Sequence, residues 1–97
     1  MKIQIRGEVV VGKQLGHTIG FPTANIRPFP EQKLPENGVF IGEIEIDTIP
    51  GVYRCVVDHG MQPTLPSGRS TIEAFILDFH QDIYGCSVML TDRKSVV

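Results

Sequence analysis

Ninety-seven residues fit a single domain, 1–97, and a chain this short buries only a modest core. Its net charge of −2 and pI near 5.8 supply no basic face for DNA or RNA, so nucleic acid is not an expected partner. With a hydrophobic fraction of 41% and no apolar run near the roughly 18 residues of a membrane helix, a membrane is not expected either.

The N-terminal run is charged and alternating, unlike a signal peptide, which leaves the cytoplasm as the expected compartment. From Ile3 to Val11 the odd positions are Ile3, Ile5, Gly7, Val9 and Val11, set against Lys2, Gln4, Arg6 and Glu8. That period of two predicts a strand. Next comes a glycine-spaced stretch, Gly12, Gly16 and Gly20, which on composition alone reads as an ordinary long surface loop and otherwise as a flap whose backbone amides approach an anion. Gly7 followed by Gly12-Lys13 looks like the start of a P-loop. Gln14 stands where the magnesium-binding hydroxyl belongs, and Val9 to Val11 are strand formers, so that reading is rejected. Pro22-Thr23-Ala24-Asn25 then sets a hydroxyl and an amide oxygen two residues apart. In an extended segment both point the same way, as hard ligands suited to magnesium shared with phosphates. A turn in which Asn25 bonds its own backbone is the alternative.

A proline-rich loop is expected from Arg27 to Gly38. Val39 to Asp47 alternates again, with Phe40, Gly42, Ile44 and Ile46 on one face and Glu43, Glu45 and Asp47 on the other. Pro50-Gly51 suits the centre of a type II turn leading into a returning strand, Val52 to Val57. A second loop, Gln62 to Ser70, precedes the most apolar run, Thr71 to Phe79, and a shorter one, Cys86 to Leu90. Five or six short strands with long loops and no helical period predict a closed antiparallel barrel or a sandwich. Cys55 and Cys86 lack partners at metal spacing and read as reduced and structural.

Gly20-Phe21-Pro22-Thr23-Ala24-Asn25 resembles the signature of the riboflavin kinase family, which also forms the C-terminal half of bifunctional bacterial riboflavin kinase/FAD synthetases. Arg6-Gly7-Glu8-Val9-Val10, Leu34-Pro35 with Gly38-Val39-Phe40, Pro63-Thr64, Ile72-Glu73, Asp78-Phe79 and Tyr84-Gly85 fit the same pattern in order, from Arg6 to Gly85. The resemblance implies a six-stranded antiparallel Greek-key barrel that phosphorylates riboflavin to FMN with ATP and Mg2+. It implies Thr23 and Asn25 as magnesium ligands, with Thr23, Gly12 and His17 at the nucleotide phosphates. It further implies that Ile76, Asp78 and Tyr84 line the nucleotide pocket and that Glu73 is the catalytic base. A non-catalytic nucleotide- or flavin-binding module of the same fold is the alternative.

On its own residues Glu73 reads first as a solvent-facing glutamate at a strand end, and its apolar sequence neighbours lend support to the base that the resemblance implies. It alternates with Phe75, Leu77 and Phe79 and lies between Ile72 and Ala74, so an apolar setting that favours proton uptake is expected. Three features depart from the family. His17 stands in place of Arg or Lys, and Asp58-His59 replaces a more neutral pair, read as a local surface change. The Arg-Pro loop and C-terminal helix that help close the family's flavin site do not follow Asp92-Arg93-Lys94, so the expectation is either a truncated chain or a homologue that has lost part of its flavin pocket. An adenylyltransferase domain is a further expected partner.

Overall fold

The computed structural model describes residues 3–10, 23–61 and 70–95. These form six strands: β1 (Ile3–Val10), β2 (Ala24–Pro28), β3 (Gly38–Ile46), β4 (Ile49–Met61), β5 (Ser70–Ile76) and β6 (Ser87–Ser95). They close into a barrel in the order β1-β2-β5-β4-β3-β6, with β6 returning to β1 and every neighbouring pair antiparallel. β3, β4 and β5 are consecutive neighbours and β6 comes back beside β3, which is the Greek-key arrangement. Closure leaves no open sheet edge, the main liability of a small β-protein.

The period-two pattern positions the core. Ile5 and Val9 of β1, Phe40, Ile44 and Ile46 of β3, and Val88 and Leu90 of β6 all turn inward. Cys55 and Val57 of β4 and Ile72, Ala74 and Ile76 of β5 complete the interior. Burying each large aliphatic side chain contributes about 1.5–3 kcal/mol.

Three expectations are corrected. The stretch Ala24–Pro28, assigned partly to a loop, is a strand that pairs with both β1 and β5. Pro28 ends it, where a missing N–H is tolerated. The β3–β4 reversal falls at Asp47-Thr48 rather than at Pro50-Gly51. Pro50 and Gly51 lie inside β4, where the register slips between Glu45 and Ile46 and Gly51 takes φ +106°, a bulge that glycine accommodates. Finally, β5 ends at Ile76, short of Phe79, because the chain turns at Asp78 with φ +53°.

Candidate active site

Two structural neighbourhoods meet at one rim of the barrel, where β1 and β5 end and β2 begins. Inside the rim is a cavity of about 460 Å³. Val9, Ala24, Ala74 and Ile76 form its barrel wall, and Phe79 and Ile83 its outer wall. Thr23, His80, Gln81, Asp82 and Tyr84 stand at its mouth. A largely apolar pocket with a few polar groups at the opening suits a small planar ligand with a polar tail.

The segment after β5 is held in place by backbone bonds. Val9 N–H donates to the Cys86 carbonyl at 2.9 Å, and Gly85 N–H donates to Val9 O at 2.8 Å. The Asp82 carboxylate accepts from Tyr84 N–H at 3.0 Å, and Gly85 adopts φ +82°. Together these fix Tyr84 at the cavity mouth with its ring exposed. Phe79 is buried and packs edge-on against Tyr53, ring centroids 5.1 Å apart.

Outside the same rim, the strand register assembles a polar row. Asn25 of β2 stands opposite Glu73 of β5, and Glu73 stands opposite Asp58 of β4. Val10 flanks the row beyond Asn25, and Val39 beyond Asp58. Directly opposed residues hold their Cβ atoms about 4.5–5.5 Å apart on one face. That face is the outer one, because Ile72, Ala74 and Ile76 alternate with Glu73 and are buried. Asn25 and Glu73 are half-buried and Asp58 is exposed.

Glu73 therefore stands on the outer face, as its solvent-facing reading has it, and not in the apolar setting. Phe75 lies next along its face of β5, but its two cross-strand neighbours are an amide and a carboxylate. Phe79 has left that face altogether, since the turn at Asp78 swings it into the core. Sequence adjacency to Ile72 and Ala74 was misleading because those residues point to the other side of the sheet.

Of the expected site residues, Thr23, Ile76 and Tyr84 gather at the cavity, while Asn25 and Glu73 pair on the outer face next to it. Asp78 forms the turn after β5, exposed and outside the cavity lining. Gly12 and His17 lie outside the described residues. Sequence reasoning missed His80, Gln81, Asp82 and Ile83. The run between Phe79 and Tyr84-Gly85 carried a usable signal, an Asp two residues before a turn.

Only half of the Asp58-His59 pair is a surface change. Alternation turns Asp58 outward and His59 inward, with His59 only 4% exposed. Its Nδ1 lies 3.2 Å from the Glu36 carbonyl, which ties the β2–β3 connection to the barrel.

The chain matches the sequence model of the family described as riboflavin kinase over residues 1–94. It belongs to the riboflavin kinase family. It is 38% identical over 95 residues to a bifunctional riboflavin kinase/FMN adenylyltransferase of Escherichia coli (strain K12), covering 95% of this chain and 29% of that protein. An RNA-binding riboflavin kinase of Bacillus subtilis (strain 168) is 40% identical over 98 residues, covering 93% of this chain and 40% of the relative. This chain thus spans well under half the length of either. Among solved structures, riboflavin kinase from Trypanosoma brucei superposes with a TM-score of 0.65 at 26% identity, covering 98% of this chain and 62% of that one. A chain described as a macrolide-efflux protein from Streptococcus pneumoniae superposes with a TM-score of 0.85 at 35% identity, covering 96% of this chain and 30% of that one.

Proposed function

We propose that this barrel transfers the γ-phosphoryl group of ATP to the 5′-hydroxyl of riboflavin, giving FMN and ADP. The observation that carries the reading is the register Asn25 opposite Glu73, beside Thr23 at the cavity mouth. It supports the reading because a carboxylate on the outside of the rim then lies close to a cavity on the inside, with two neutral oxygen-bearing side chains nearby.

The nucleotide base enters the apolar cavity against Ile76 with Tyr84 at the mouth, and the phosphates run outward past Thr23. Thr23 and Asn25 offer a hydroxyl and an amide oxygen, a donor set that fits Mg2+ already carrying phosphate oxygens. The metal would supply charge neutralisation at the transferring phosphoryl group. Glu73 accepts the proton of the ribityl 5′-hydroxyl as that oxygen forms its bond to the γ-phosphorus and the bond to the ADP oxygen breaks. Phosphoryl transfer requires chiefly such positioning, so a half-buried carboxylate beside the metal ligands is sufficient chemistry.

The free thiols Cys55 and Cys86 support a reducing, cytoplasmic setting for this reading. No helix among the described residues is long and apolar enough to cross a membrane. The name of the E. coli relative supports an FMN adenylyltransferase unit as a companion.

The decisive experiment is Glu73→Gln, which keeps size and hydrogen bonding but cannot take the proton. Turnover should fall about 100-fold or more, the usual scale for a general base, with ATP affinity nearly unchanged. In parallel, Asn25→Leu should weaken magnesium-dependent ADP binding. Full turnover in Glu73→Gln would assign the base elsewhere.

A further inference from the structure

We propose that Asp58 is a specificity-determining residue that binds the ribityl chain of the flavin, accepting hydrogen bonds from hydroxyls other than the one phosphorylated. The inference rests on the functional reading above and adds a residue to it.

The argument begins with register. Asp58 faces Glu73 directly across β4 and β5, on the same outer face and on the side away from Asn25. Adjacent strands are about 4.8 Å apart, so Asn25 and Asp58 are separated by about 10 Å across two strand spacings. One small cation cannot be held by both, which separates Asp58 from the metal ligands. The row therefore has three successive stations: Asn25 toward the phosphates, Glu73 at the reacting hydroxyl, and Asp58 beyond it.

What occupies the third station follows from the acceptor's own chemistry. The reacting hydroxyl is the end of a polyol, so a chain whose terminal oxygen is at Glu73 must carry its remaining hydroxyls past the neighbouring position. Those hydroxyls are donors, and an ionised carboxylate is acceptor-only with several lone-pair sites. Asp58 is placed to serve. It is exposed, and the ion pairs among the described residues are formed elsewhere, by Arg27 with Glu8 and by Arg93 with Glu43. Its position is also anchored, because the next residue, His59, is buried and held to the Glu36 carbonyl. The side chain thus projects from a strand rather than from a loop.

The test uses the 97-residue chain and its Asp58→Ala and Asp58→Asn variants, both at an exposed position and both checked for an unchanged thermal midpoint. The probes are riboflavin, lumiflavin (the same ring without the ribityl chain) and Mg-ADP. Loss of a charged hydrogen-bond acceptor should raise the KM for riboflavin about tenfold or more, with a much smaller change in kcat. Asp58→Asn should recover part of the loss, since its amide oxygen still accepts. Lumiflavin inhibition and Mg-ADP affinity should match the parent. An unaltered riboflavin KM in Asp58→Ala, or an equal weakening of lumiflavin, overturns the role of Asp58 while the functional reading stands. A parent chain that binds Mg-ADP but neither binds nor phosphorylates riboflavin overturns the reading and this role together.

Discussion

Alternation gives each β4 residue a distinct chemical fate, as Cys55, Asp58 and His59 show. Cys55 is 1% exposed, and burial pushes its thiol up to about 12, with the Glu43 carboxylate adding to the effect. The folded chain therefore keeps this proton where the unfolded chain, near the ordinary value of 9, gives it up. Stability is unaffected by this group below that pH and is lost as pH rises above it. Relative to a Cys55→Val variant, the parent should lose about 1.4 kcal/mol of unfolding free energy between pH 8 and pH 10. Urea titrations of both proteins at the two pH values measure this; identical pH profiles would mean the thiol ionises freely in the fold. His59 follows the same inward path as Cys55, which is why a polar residue there was misjudged from sequence. Its neighbour Asp58 is polar and exposed, and a pattern reading sees two polar residues in a row before it sees a strand.

Element by element, legibility tracked how much of a strand's pairing is local. β1 and β3 announced themselves because long alternating runs set one buried face. β2 did not, since five residues ending in proline give no periodic signal, and its pairing with β5 is a tertiary fact. The candidate site has the same gap: family motifs single out Thr23, Asn25 and Glu73, but the Asn25–Glu73–Asp58 row depends on non-local register. Away from the row, a side chain outside the ladders extends one of them. Gln32 accepts from Arg6 N–H at 2.6 Å and donates to the carbonyls of Arg6 and Phe29, at 2.6 and 2.7 Å, continuing the β1 edge past the end of β2. The β3–β6 seam is tighter. Its register slips between Ile41 and Gly42, and a Cβ on Gly42 would strike the Thr91 carbonyl oxygen. Gly42→Ala should cost about 2 kcal/mol or more, because both clashing groups are fixed in the ladder. Gly60→Ala, whose Cβ would meet Asp58 Oδ1 at 3.9 Å, should cost far less. Chemical denaturation of the two variants compares them directly, and equal losses would show that the seam can widen.

For the whole molecule, closure couples the rim to the core. The cavity wall is made of core residues: Val9 of β1 and Ala74 and Ile76 of β5 belong to the same cluster as Ile44 of β3 and Leu90 of β6. β1 pairs with β6, so the first and last strands complete one another's ladders. A ligand proposed at the rim would thus meet groups that come together only when the barrel is closed, and the unfolded chain offers it nothing comparable. Mg-ADP at about 100 times its Kd should then raise the unfolding free energy by about 2.7 kcal/mol. For a domain of this size each kcal/mol moves Tm by about 4–8 °C, so the shift is large enough to read in a single melt. Backbone circular dichroism and amide exchange in β3, far from the cavity wall, should report the same stabilisation. Tyr84→Ala should reduce the shift by about 1 kcal/mol, the scale of one aromatic contact, without lowering the Tm of the ligand-free protein much, because the ring is exposed. A full shift in Tyr84→Ala would place the nucleotide away from the cavity mouth. A shift confined to amides near β2 and β5 would mean that the rim opens and closes independently of the barrel.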